Sequence, residues 1–346
     1  MCLLPTIIRL AVRSKLILRP VVRSKLILRP VVRSKLILLP FGNAKFMKAF
    51  VQIFNLTSNC SREKTMSFLK SLLKFVFRIA IGVLIAIPLL LYPFLYFSQE
   101  RLLFIQIKKG PEHLSWVKNE YPHVEELQIK TPDNVTLHGW YLKNTQKPQS
   151  PLLIYFGGNA EEVSKRVRDV ESVTGWSWLV VNYRGYGMSE GSPSEKHLFN
   201  DALLVYDTFA QRADIDNNNI VAFGRSLGTG VAVHLASQRP LKGLILVSPY
   251  DSIRSITQEI YPYVPVSLLL KHHFDALALA PSIKVPMLAV MSQHDQIISY
   301  SHSVALIEAW GGVTHQTTIQ NTVHNNVHVG EGYWENISAF LNRLEM

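Results

Sequence analysis

Residues 221–230 read VAFGRSLGTG: an apolar run, a Gly-Arg-Ser-Leu-Gly turn, then small residues that can open a helix. Two readings compete for this stretch. In one, Ser226 rides a sharp strand-to-helix turn that exposes its hydroxyl, with Gly224 and Gly228 letting strand and helix approach closely. In the other, the stretch is a glycine-rich turn with no chemistry. The Gly-x-Ser-x-Gly spacing is short enough to arise by chance, so the rest of the chain has to decide.

Outward from Ser226 the pattern alternates. Apolar runs of strand length, PLLIYFGG (151–158), SWLVVNY (177–183), NIVAFG (219–224), GLILVS (243–248) and PMLAVMS (286–292), are separated by helical candidates near 161–172, 195–212, 227–238 and 299–310. EELQIK and VTLHGWYL flank the turn sequence TPDN and predict a hairpin. Nearly continuous apolar strands alternating with helices predict an α/β fold, a mostly parallel sheet covered by helices on both faces. In such sheets ligands bind beyond the carboxyl ends of the strands. A functional residue should therefore fall just after one of these runs.

Ser226 does, after NIVAFG. A serine hydroxyl is a poor nucleophile without a base and an orienting acid. In this architecture they are expected in the order serine, acid, histidine. Asp295 in QHDQIIS follows PMLAVMS, and His324 in VHNNVH follows the extended run THQTTIQNT. Three residues at three strand ends in the required order favour the catalytic reading. Asp251 in SPYDS is a rival acid, His328 a rival base, and His294 reads as a loop residue. Neither His324 with His328 nor the His272–His273 pair belongs to a His-Glu-x-x-His or carboxylate cluster, so no metal is expected. The oxyanion that forms needs donors from two loops. The amide of Asn159, in YFGGNA with Gly157 and Gly158, and the amide of Leu227 are the candidates. NYRGYGMSEGSPSE (182–195) lacks a Walker lysine and a dinucleotide spacing, and reads as a structural loop anchored by Tyr183 and Arg184. Residues 251–285, with the apolar and aromatic run IYPYVPVSLLLKHHF, form a small insertion near the site.

The charge is unevenly placed. Of 36 Lys/Arg and 25 Asp/Glu, residues 1–78 hold 16 and 1, a balance of +15, which leaves 20 and 24, a balance of −4, for the rest. The basic character belongs to the N-terminal segment, which argues against nucleic acid as the partner of the main domain. Residues 11–40 are three near-identical decapeptides, each closed by a proline that interrupts helix. Residues 1–65 are read as a basic, disordered segment or as translation upstream of a native start at Met66. Residues 79–97, IAIGVLIAIPLLLYPFLYF, carry no charge over 19 positions and are long enough to cross a bilayer. Residues 66–98 are accordingly expected to be a signal anchor, and 99–346 the catalytic domain. Lys64, Lys70, Lys74 and Arg78 precede the span, while only Arg101 closely follows it, which predicts a cytoplasmic N-terminus and an extracytoplasmic main domain. Both cysteines, Cys2 and Cys60, precede that domain, so it holds no disulfide framework.

These residues resemble the α/β-hydrolase superfamily, and more closely its membrane-anchored α/β-hydrolase domain-containing branch. The resemblance is carried by YFSQERLLF, YFGGNA, VNYRGYGMSEGSPSE, GRSLGTGVA, SPYDSI, HDQIIS and VHNN, in order, across about residues 96–343. It implies Ser226 as nucleophile, Asp295 as acid and His324 as base, acting without a cofactor on small or lipid-like acyl esters or thioesters. A peptidase on the same three residues and a non-catalytic anchored binding protein are the alternatives. Two departures stand out: Gly157 occupies a position where the family usually has histidine, and HNN replaces the commoner His-Asn-Asp. Arg225, in the variable position of the serine motif, has no role that the motif assigns.

Overall fold

The computed structural model describes residues 62–345; the decapeptide repeats and the rest of 1–61 lie outside the described residues. Helix α1, Arg62–Leu103, contains Pro88 and Pro93. It runs past both ends of the 79–97 stretch, so YFSQERLLF lies largely within the helix rather than after it. Most of its large apolar side chains from Met66 to Phe97 are exposed, the condition of a helix whose solvent is lipid. It is long and apolar enough to cross a membrane. Contacts divide the chain into two units between Ala80 and Ile81.

The second unit is centred on an eight-stranded sheet: β1 (Glu125–Lys130), β2 (Thr136–Leu142), β3 (Ser150–Phe156), β4 (Ser177–Val181), β5 (Ile215–Arg225), β6 (Gly243–Val247), β7 (Met287–Ser292) and β8 (Thr314–Ile319), in the order 1-2-4-3-5-6-7-8. β2 pairs antiparallel with β1 and β4, and every pairing from β4 through β8 is parallel. The β1–β2 hairpin turns at TPDN, where the Thr131 hydroxyl donates to Asp133 at 2.6 Å and Asn134 has φ 66°.

The apolar strand runs conceal a two-residue period. Leu152, Ile154, Ala222, Leu244 and Leu246 face one core, while Leu153, Tyr155, Phe223, Ile245 and Val247 face the other. A strand apolar on both faces must be covered on both. The first core is closed by α3 (Glu195–Ala210) and α4 (Leu227–Gln238), the second by Val163 and Val167 and by α9 (Tyr333–Glu345). The remaining helices are α2 (Ser115–Glu120), three short helices of the insertion, α5 (Ile253–Ile260), α6 (Val266–Leu269) and α7 (Ala276–Leu279), and α8 (Tyr300–Ala309). One helical expectation changes type: Val163–Ser172 winds as a 3-10 helix, not an α-helix. Valines at 163, 167 and 170 stiffen this segment at χ1, and the Glu162 carboxylate caps it by accepting from the Ser164 amide at 3.1 Å.

Chain direction across the sheet reverses at β3, which lies between β4 and β5. The loops leaving β3 and β5 therefore diverge and open the crevice where such sheets bind ligands.

Candidate active site

Ser226 follows β5 directly and starts α4 with φ 51° and ψ −118°. This conformation costs a non-glycine residue roughly 1–3 kcal/mol. It is held by the Ser226 amide donating to the Val247 carbonyl of β6 at 2.8 Å, and by the Thr229 amide donating back to the Ser226 carbonyl at 2.9 Å. The packing leaves no room for side chains beside the turn. A Cβ on Gly224 would lie 2.4 Å from the Gly228 carbonyl oxygen, and one on Gly228 would lie 2.1 Å from that of Phe156. Strand β3, strand β5 and helix α4 thus touch through backbone alone, as the close approach of an elbow requires.

Asp295 follows β7 and His324 follows β8. Neighbouring strands lie about 4.8 Å apart, so a carboxylate two strands from the serine is roughly 10 Å away and needs an intermediary. The His324 ring supplies it: Nε2 lies 3.0 Å from Ser226 Oγ and Nδ1 lies 2.8 Å from Asp295 Oδ2. Burial pushes the Asp295 carboxyl up, but the His324 hydrogen bond and the amides of Ile298 and Ile297, each 2.9 Å from Oδ1, outweigh it and hold it down to about 2. The group is therefore a carboxylate at neutral pH and can only accept. That fixes the proton of a neutral imidazole on Nδ1 and leaves Nε2 free to accept from the serine hydroxyl. Ser248 Oγ, after β6, also donates to Asp295 Oδ2 at 2.9 Å, and Ser292 Oγ does so at 3.3 Å.

The rivals are engaged elsewhere. Asp251 accepts from the Ser252 amide and lies 2.9 Å from His302 Nδ1, while the other ring nitrogen of His302 faces Glu259 at 2.9 Å. The amide of Glu195 donates to His272 Nδ1 at 3.3 Å, and the Glu195 carboxylate accepts from the amides of His273 and Phe274 at 2.7 and 2.8 Å. This pair therefore ties the insertion to the start of α3. Burial lowers the pKa of His328, and no hydrogen bond joins it to Ser226 among the described residues.

The loop after β3 is built to expose amides. The Asn159 side chain donates to the Leu103 carbonyl at 2.6 Å and accepts from the Ile105 amide and the Tyr186 hydroxyl, each at 2.9 Å. Tyr183 donates to the Gly157 carbonyl at 2.9 Å, the anchoring expected of the 182–195 loop, and Arg184 is clamped between Asp133 and Asp201. At Gly157 a Cβ would sit 3.0 Å from Val163 Cγ1, so a histidine here would crowd that side chain. The Gly158 amide is committed to Glu161 Oε2 at 2.7 Å. No acceptor among the described residues takes the amides of Asn159 or Leu227.

Glu161 escaped the sequence reading, which left Arg225 without a role. The Arg225 guanidinium pairs with Glu161 at 3.3 Å and donates to the His324 carbonyl at 3.2 Å, while Glu161 also accepts from Tyr155 at 3.1 Å and pairs with Arg166 at 3.1 Å. One partly buried network thus ties the serine turn to the β3 loop and to the histidine loop. A charged residue in the variable position of the motif was the only sign of it.

Comparison with known proteins gives a consistent picture. A family model described as serine hydrolase matches residues 206–343. The chain is 30% identical over 256 residues to an uncharacterized protein of Mycobacterium tuberculosis, covering 73% of this chain and 89% of that one. It is 29% identical over 276 residues, covering 77% and 96%, to an uncharacterized membrane protein of Saccharomyces cerevisiae. With the exposed apolar α1, that likeness points to association with a membrane. Among solved structures, the fold is similar to an esterase of Pyrococcus furiosus, with TM-score 0.53, 17% identity and coverage of 70% of this chain and 96% of that one.

Proposed function

The chain belongs to the α/β-hydrolase superfamily of serine hydrolases, and from that premise we propose that it cleaves carboxylic esters or thioesters at Ser226 through an acyl-enzyme while tethered to a membrane by α1. The observation that carries the reading is the hydrogen-bonded line Ser226–His324–Asp295, with the Nδ1 proton fixed by an ionised Asp295. His324 Nε2 takes the proton as Ser226 Oγ attacks the acyl carbonyl carbon. The carbonyl oxygen becomes an oxyanion, held by the amides of Asn159 and Leu227 at the positive end of α4. As the tetrahedral intermediate collapses, Nε2 returns the proton to the departing alcohol or thiol. Water then enters, gives its proton to the same nitrogen and releases the acid, restoring Ser226. Asp295 stays ionised throughout and stabilises the imidazolium.

The reaction class is tested by offering the purified chain matched p-nitrophenyl esters, thioesters and aminoacyl p-nitroanilides. Ester or thioester turnover at least a hundredfold above anilide turnover is expected. Preferential anilide cleavage would make it a peptidase, and no turnover of any of the three would favour a binding protein.

The tether is read as a single-pass anchor with the N-terminus in the cytoplasm, on the basic residues Lys64, Lys70, Lys74 and Arg78 before the apolar run. A glycosylation-site reporter fused after residue 346 should be modified by the luminal machinery. A reporter that stays unglycosylated and cytoplasmic would reverse the orientation.

A further inference from the structure

We infer that the apolar cleft between the end of α1 and the insertion holds the acyl chain of an ester drawn from the bilayer, an inference that rests on the esterase reading above. The cleft measures about 350 Å³ and is lined by Leu95, Leu102 and Leu103 of α1 and by Tyr261, Val264 and Leu269 of the insertion. That volume falls within the roughly 300–1,000 Å³ of small-molecule sites, and suits one chain rather than a whole two-chain lipid. Leu95 belongs to the uncharged run 79–97. The cleft therefore begins within the segment expected to lie in hydrocarbon, and a chain can enter it without passing through water.

The walls are fixed to one another. Gln99, itself buried, donates to the Leu269 carbonyl at 3.1 Å and accepts from the Lys271 amide at 2.7 Å, and Lys271 pairs with Glu100 at 3.1 Å. The insertion also carries exposed Ile260, Tyr261, Tyr263 and Leu268, with Tyr263 95% and Leu268 80% exposed. Tyrosines among exposed aliphatics are the composition of a membrane–water interface, and so large an apolar surface argues for a lipid neighbour.

The cleft is coupled to the chemistry. Leu103, one of its walls, offers its carbonyl to the side chain of Asn159 at 2.6 Å, the residue whose amide is assigned to the oxyanion. The Leu103 wall of the cleft thus adjoins the loop proposed to receive the carbonyl group. The esterase reading alone leaves the acyl group open. The apolar lining of the cleft, and its start within the uncharged run, commit it to the long acyl chain of a membrane lipid.

The test uses the full chain reconstituted in phosphatidylcholine vesicles, with p-nitrophenyl butyrate, octanoate and palmitate as substrates. kcat/KM is expected to rise with length, by up to about fourfold per methylene where the chain is buried. Thr257, on α5 of the insertion, also lines the cleft; Thr257→Trp and Leu102→Trp, which fill it from the insertion and from α1, should each lower the palmitate-to-butyrate ratio at least tenfold. A flat length profile, or an unchanged ratio in folded variants, would overturn the assignment. A palmitoyl probe with a terminal diazirine provides a reading on wild type alone. Label on residues 95–103 or 257–270 supports the cleft. Label elsewhere, or crosslinks joining two copies of the chain, refutes it. Failure of the esterase reading would look different, as wild-type chain that turns over none of the three esters, butyrate included.

Discussion

Replacing Ser226 by alanine is expected to lower ester turnover by about 10⁴-fold or more, the scale seen when a nucleophile that acts as a unit with its base is removed. The loss should fall on kcat, because the cleft and the oxyanion amides remain to bind substrate. Folding should be preserved. The hydroxyl is exposed enough to meet only His324, and the strained backbone is held by the Val247 and Thr229 hydrogen bonds, which alanine keeps. Ser226→Gly sharpens the point. Glycine accepts φ 51° without strain, so this variant should be about 1 kcal/mol more stable than Ser226→Ala and equally inactive. A gain in stability with complete loss of turnover would show that the conformation is maintained for chemistry at the expense of the fold. Thermal unfolding of the two variants side by side measures the first half, and ester assay the second.

Gly228→Ala should do damage of a different kind. The added Cβ would stand 2.1 Å from the Phe156 carbonyl oxygen and 2.7 Å from that of Gly157. Both are backbone atoms, so no rotamer change relieves the overlap and helix α4 must retreat from the β3 loop. Overpacking against immovable atoms costs about 1–3 kcal/mol or more, which puts Tm roughly 5–10 °C lower. The retreat also separates the amide of Leu227 from that of Asn159. Loss of one oxyanion donor lowers kcat by about 10²–10³, so the folded fraction should be slow as well as scarce. An unfolding scan paired with kcat per folded molecule separates the two effects. Wild-type values for both would mean that the backbone contact between α4 and β3 is not what shapes the turn.

Much of the fold was readable from the chain. The strands announced themselves because a sheet covered on both faces needs apolar residues at consecutive positions, as in LLIYF and GLILV. Ser226 and Asp295 were locatable because each follows such a run, and His324 because it follows the extended stretch THQTTIQNT; parallel strands bring their carboxyl ends to one edge. What was not readable depends on contacts without a local pattern. Glu161 and Arg225 meet across 64 positions, Arg225 and the His324 carbonyl across 99, and Ser248 and Asp295 across 47. No period or motif marks such partners. The contacts at the end of α1 likewise had no local mark. Helix α1 continues past the uncharged run to Leu103, and within it Gln99 and Glu100 bind the insertion at Leu269 and Lys271. The 3-10 winding of Val163–Ser172, which packs Val163 and Val167 into the second core, likewise has no local mark in the sequence.

The measurement that tests the central claim most directly is active-site labelling. The full chain is treated with a fluorophosphonate, digested, and the adduct located by mass spectrometry. A single adduct on the peptide containing Ser226, absent from Ser226→Ala and formed far more slowly in His324→Gln, is the predicted result. An adduct on another serine, or equal labelling of wild type and Ser226→Ala, would contradict the assignment of Ser226 as the nucleophile.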